Sequence, residues 1–191
     1  MKGDLGMSEA EVHEKAAEVL RFWFGLAPDK HFAKDAALDR EIAERFGALR
    51  DAVLASGASG WRDAPDAVLA AVILLDQFSR NIHRGSPRAY EADPLALSLT
   101  LSAIEHRWDT RYKPEERAFL YLPLMHAESE AMQALSVDKY TALGLAENLR
   151  FARDHADVIA RFGRYPSRND ALGRKSTVEE KEYLSQPGAG W

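Results

Sequence analysis

VLAAVILLDQFSRN, running from Val68 to Asn81, is the stretch whose reading decides the fold. From Val68 to Leu75 it is apolar on every side, the pattern of a helix enclosed by other helices. At Asp76, Gln77, Arg80 and Asn81 it turns abruptly polar. Polar groups at the end of an enclosed helix are either satisfied by neighbours or form a site. Asp76 and Arg80 stand four apart, acid first, the favourable order for an ion pair along a helix. Arg80 also sits near the negative end of the helix dipole. Pro65 marks the start, because proline is tolerated in a first turn, and the helix is expected to end near Ser79.

Outward from this helix the chain reads as further helices. Ser8 and Glu11 have capping-box spacing ahead of a helix that buries Val12, Ala16, Val19 and Trp23, with Gly25 as its stop. Asp35 caps a second, with Leu38, Ile42, Phe46, Leu49 and Val53 inward and Arg40, Glu41, Glu44 and Arg50 mostly outward. The run SGASG at 56–60 is a turn. Asp93 with Pro94 opens a helix that reaches about Arg107. Pro114 opens another, which Pro123 should kink or interrupt by removing a backbone donor. The helical pattern continues from Met125 to about Leu135. Gly144 punctuates the next turn. The helix after it carries Phe151, His155, Val158, Ile159 and Phe162 on one stripe and stops at Gly163. Ser176 and Glu179 form a second capping box before a short last helix. Nothing alternates with the two-residue period of a strand. The expectation is one all-α domain of about eight helices over 1–191.

Composition narrows the function classes. The chain has 191 residues, 46% hydrophobic and 29% charged, ordinary values for a soluble globular protein. A net charge of -5 argues against a general nucleic-acid binder. The absence of cysteine removes disulfides, thiolate nucleophiles and thiolate metal sites, and suits a reducing compartment. The apolar run Ala67–Leu75 falls far short of the ~20 residues that span a membrane. Glu9, Glu11, Glu14 and Glu18 stand where an export signal would carry a basic end. These readings predict a cytoplasmic protein with neither a nucleic-acid nor a membrane partner.

Within this acidic chain, positive charge is concentrated twice. Arg80, Arg84 and Arg88 fall between Ser79 and Arg88 with no acid among them. Arg161, Arg164, Arg168, Arg174 and Lys175 stand against Asp170 alone between Arg161 and Lys175. Both segments contain Ser-Arg-Asn, at 79–81 and 167–169. Guanidinium groups grip carboxylate or phosphate in a forked geometry, so these loops are where an anion would be held. The structural alternative is that they pair with acids on other helices. The anion reading predicts a pocket for a small anionic ligand or an acidic peptide terminus, with Gln77, Arg80, Asn81, Arg84, His155, Arg164 and Arg168 as binding residues and His126 beside them.

An enzymatic alternative uses the same residues. His126, expected to share a helix face with Ser129, Glu130 and Gln133, would be the general base, with Glu130 or Asp76 orienting it. Hydrolysis or group transfer on a phosphorylated or carboxylated metabolite would be the reaction class. His155, on an apolar stripe, reads equally as a satisfied core histidine. A third alternative is a protein-interaction scaffold without a small-molecule site. No metal site is expected, since no third ligand accompanies the His–Glu pair. No cofactor is expected, because the chain has no dinucleotide glycine pattern, and it also lacks a nucleophile elbow and His-Glu-x-x-His.

Four separated segments, VLRFWFG (19–25), ILLDQFSRNIHRG (73–85), FLYLPLMHAES (119–129) and HADVIARFGRYPSRN (155–169), resemble a bacterial family known as domain of unknown function 924. The resemblance implies a tetratricopeptide-like stack of antiparallel helix pairs and implies no activity. Ser79 and Ser167 depart from its pattern, which has proline and histidine there. The first departure is expected to loosen the turn after the central helix, and the second removes a histidine.

Overall fold

The structure is a computed structural model and describes residues 7–190. It is all-helical, with no strand among the described residues. Two compact units divide the chain, one formed by 7–84 with 88–123 and the other by 85–87 with 124–190.

In the first unit, α1 (Glu9–Gly25) and α2 (Ala36–Ala55) begin at the expected caps. Ser8 and Glu11 make the reciprocal capping box, and Asp35 accepts from the amides of Ala37 and Leu38. Gly25 is the last residue of α1 rather than a left-handed stop, and the chain leaves through an extended Leu26. The central helix then runs as α3 (Pro65–Val72), a π-helical stretch (Ile73–Phe78) and α4 (Ser79–Ile82), without a break at Ser79. With α5 (Asp93–Glu105) and α6 (Pro114–His126) following, the described residues carry eight helices when these three segments count as one.

Every residue from Ala67 to Ser79 is buried, as the all-round apolar pattern requires. Helix α3 packs on α1 and α5, while α2 lies against the π-helical stretch and α4. Phe46 and Phe78, both buried, bring their ring centres to 5.1 Å, and Trp23 meets Phe78 at 5.5 Å. Full burial of one such side chain is worth about 1.5–3 kcal/mol. Arg50, expected on the outer face of α2, is fully buried. Asp93 does not cap α5: it is the first helical residue, Ala92 takes the cap position, and the carboxylate is engaged elsewhere.

Pro123 does not break α6 where its chemistry suggested. The helix passes through it and stops three residues later, at His126. In the second unit α7 (Glu130–Leu143) and α8 (Ala146–Phe162) pack against each other, joined through Gly144. Gly144 and Gly163 take the left-handed conformation that closes each helix, with φ of 78° and 69°. The core here holds Val158, Ile159 and Tyr165, with Phe162 and Tyr183 packed on it. The last helix, α9 (Val178–Leu184), is capped one residue later than expected, by Thr177 and Glu180 instead of Ser176 and Glu179.

Candidate functional site

The first polar cluster forms where the apolar part of the central helix ends. A π-helical turn carries i→i+5 bonds and an extra residue, and such turns often occur at functional positions. Here it delivers Asp76 and Gln77 into the interior side by side, with Gln77 Nε2 donating to Asp76 Oδ2 at 2.6 Å. Arg80 Nη1 lies 3.2 Å from Asp76 Oδ1 and donates to the Asp76 carbonyl. The same guanidinium forks onto Asp93 at 2.9 and 3.0 Å and lies over the Tyr90 ring. Burial alone would lower the Arg80 pKa, but the charges of Asp76 and then Asp93 outweigh it and raise it. Asn81 and Arg84 both donate to Asp39, Asn81 at 2.8 Å and Arg84 twice at 3.0 Å.

Ser79 is buried in the turn of the helix. Its hydroxyl accepts from the buried Arg50 Nε at 2.9 Å. Arg50 also donates to Asp51, Glu91 and the Arg88 carbonyl, and Arg88 reaches the same two carboxylates. Hydrogen bonds from Arg50, more than any other influence, hold Glu91 below the usual carboxylate range. All three arginines of the 79–88 segment are therefore engaged by carboxylates.

The second cluster caps the end of α6. Helix C-termini leave carbonyls without intrahelical donors. Gln133 Nε2 donates to the carbonyls of Met125 and Ala127 at 2.8 and 2.7 Å, and Arg168 Nη2 to that of His126 at 3.0 Å. The Tyr165 hydroxyl also reaches Met125. His126 and His155 come together, their ring centres 6.2 Å apart, with Tyr165 5.5 Å beyond His155. His155 Nδ1 is bonded to the Phe151 carbonyl at 2.8 Å, as expected of a satisfied core histidine. Glu130 does not share a helix face with His126. The helix is interrupted between α6 and α7, and the carboxylate of Glu130, the first residue of α7, makes no hydrogen bond or ion pair among the described residues. Asp76, the alternative orienting acid, belongs to the first unit and is held by Gln77 and Arg80.

The arginines after α8 are engaged in part. Arg164 forks onto Glu180 at 2.7 and 3.0 Å and donates to the Lys175 carbonyl. Glu180, only 1% exposed, also accepts from Asn169 and the Thr177 amide. The Arg164 hydrogen bond is the largest of the influences that bring its pKa down to about 2. Arg174 forks onto Glu128 at 2.7 and 2.9 Å. Arg161 is different. It lies over the Phe162 ring at 4.6 Å and has no carboxylate within 4 Å among the described residues. Lys175 likewise has none. Arg161, Phe162, Arg164, Thr177, Glu179 and Glu180 line an open hollow of about 480 Å³, within the ~300–1,000 Å³ range of small-molecule sites.

The sequence-derived candidates thus divide between the units. Asp76, Gln77, Arg80, Asn81 and Arg84 lie in the first; His126, Glu130, His155, Arg164 and Arg168 lie in the second. Sequence reading missed the acids that engage the arginines, Asp39, Asp51, Glu91, Asp93, Glu128 and Glu180, most of them tens of residues from their partners. It also missed Phe162 and Glu179 as lining residues. Among the described residues no three His, Asp or Glu side chains are grouped to hold a metal ion, and no helix is long and apolar enough to cross a membrane.

A family model described as a bacterial protein of unknown function, DUF924, matches residues 19–188. A solved structure of a protein of unknown function from Agrobacterium tumefaciens is similar, with 39% sequence identity and a TM-score of 0.87. That similarity covers 91% of this chain and 98% of the other. No curated protein matches.

Proposed function

The chain belongs to the bacterial family of unknown function DUF924, and from the geometry above we propose that it is a helical binding module for a small anionic ligand or a peptide carboxyl terminus, held in the hollow at the end of α8. One observation carries this reading: in the segment where cations concentrate, Arg161 opens onto a hollow with no carboxylate of the described residues engaging it. Arg164, fixed by Glu180, lines the same hollow. An arginine stacked on an aromatic ring is partly preorganised, so less side-chain entropy is lost when it grips a carboxylate. Arg80, Arg84 and Asn81 serve the first unit as internal ion pairs and hydrogen bonds. Turnover at His126 has less support, because Glu130 does not orient it. The same reading takes the packed α7 and α8 as a tetratricopeptide-like pair and the protein as a cytoplasmic one.

Titration of the ¹⁵N-labelled protein with 3-phenylpropionate and with inorganic phosphate tests it. Amide shifts are expected at 161–164 and 177–180, and Arg161→Ala should remove them without changing the melting temperature. Shifts that persist unaltered in Arg161→Ala would overturn the assignment.

A further inference from the structure

The charges lining the hollow select among anions. It carries two arginines and two glutamates. Arg164 and Glu180 satisfy each other through a forked pair, and both are anchored further, Arg164 by the Lys175 carbonyl and Glu180 by Asn169 and the Thr177 amide. That leaves one charge of each sign facing the space, Arg161 and Glu179. They act on each other electrostatically, yet no nitrogen of Arg161 comes within 4 Å of a Glu179 oxygen. The Glu179 carboxyl is held below the usual range first by its own backbone amide and then by the Thr177 hydroxyl, so it is ionised at neutral pH. A ligand carrying negative charge alone gains at Arg161 and is repelled at Glu179. A ligand carrying both charges a short distance apart gains at each.

The rest of the lining is Phe162 and Thr177. Phe162 is half-buried, lies beneath the Arg161 guanidinium, and has the Tyr183 ring 5.3 Å from its own. Apolar surface beside two opposite charges matches a side chain attached to an ammonium and a carboxylate. We propose that the hollow at the end of α8 binds a free α-amino acid with an apolar or aromatic side chain, its carboxylate on Arg161, its ammonium on Glu179 and its side chain on Phe162. This rests on the carboxylate-binding reading above and narrows it, since a peptide carboxyl terminus has no ammonium beside its carboxylate.

Titration with L-phenylalanine and with N-acetyl-L-phenylalanine, which keeps the carboxylate and the ring and loses the ammonium, tests the assignment. An exposed ion pair contributes about 0.2–1 kcal/mol, so the acetylated compound is expected to bind about 1.4- to fivefold more weakly. In Glu179→Gln the two should bind equally, and Arg161→Ala should bind neither. Equal affinity of the two compounds for the wild-type chain would overturn the zwitterion assignment while leaving carboxylate binding in place. If neither compound shifts any amide at 161–164 or 177–180, both assignments fall.

Discussion

Of the two arginine-rich segments, the one from Ser79 to Arg88 is closed and the one from Arg161 to Lys175 is left open at its ends. In the first, Arg80 grips Asp76 and Asp93, Arg84 grips Asp39, and Arg88 shares Asp51 and Glu91 with the buried Arg50. In the second, Arg164 and Arg174 hold Glu180 and Glu128, and Arg168 bonds the His126 carbonyl. Arg161 and Lys175 hold no acid among the described residues. The difference follows from where each segment lies. Arg80 of the first continues a helix whose apolar length is wholly buried, and a charge entering such surroundings must bring its counter-charge along. The second follows an exposed helix end, where water can solvate a lone guanidinium. Engaged arginines build structure, and the unengaged one is the candidate to meet a ligand.

The sharpest test of that contrast is Asp76→Ala, which strips a fully buried partner from Arg80. Breaking such a pair costs about 3–5 kcal/mol, to be read from urea unfolding. A loss below about 1 kcal/mol would mean that the first segment is not held by its interior ion pair. Glu180→Gln should cost about 2 kcal/mol at neutral pH through its charged hydrogen bonds. Its signature is a pH dependence. Folding lowers the Glu180 carboxyl from 4.5 to about 2. Its stabilisation is therefore complete above pH 4.5 and lost as pH falls towards 2. The variant should flatten that part of the stability profile, and an unchanged profile would remove Glu180 from its assigned role. The smallest effect is expected from Arg84→Ala. Its side chain is 41% exposed although doubly bonded to Asp39, and exposed pairs contribute less than about 1 kcal/mol. A larger loss would show that exposure is the wrong measure of what each segment contributes.

Much of the fold is legible because caps and periodicity are local. Ser8 with Glu11, Asp35, Gly144 and Gly163 do what their residue types predict. The misreadings have definite causes. The sequence STVEE offers two overlapping capping boxes, Ser176–Glu179 and Thr177–Glu180, and spacing alone cannot choose between them. Arg164 and Asn169 choose, by drawing Glu180 inward. Arg50 looked solvated because it is charged, yet it lies four residues after Phe46 and eight after Ile42, on the buried stripe. The continuation of α6 into a single helix with Glu130 failed because three non-helical residues follow His126. Candidate residues such as Arg80, Asn81 and Arg164 were found. Their partners were not, because nothing at Asp39 announces that it will meet Arg84.

The π-helical stretch carries a consequence for how this protein tolerates change. A regular α-helix advances about 100° per residue. Deleting one residue between Ile73 and Phe78 would turn everything downstream by that angle while leaving the helix hydrogen-bonded. Arg80 would swing off Asp93, and Asn81 off Asp39. The wide turn works as an angular spacer, coupling chain length at one place to electrostatic register at another. Insertions and deletions in the family are therefore expected to spare this segment and to accumulate in the connections between helices.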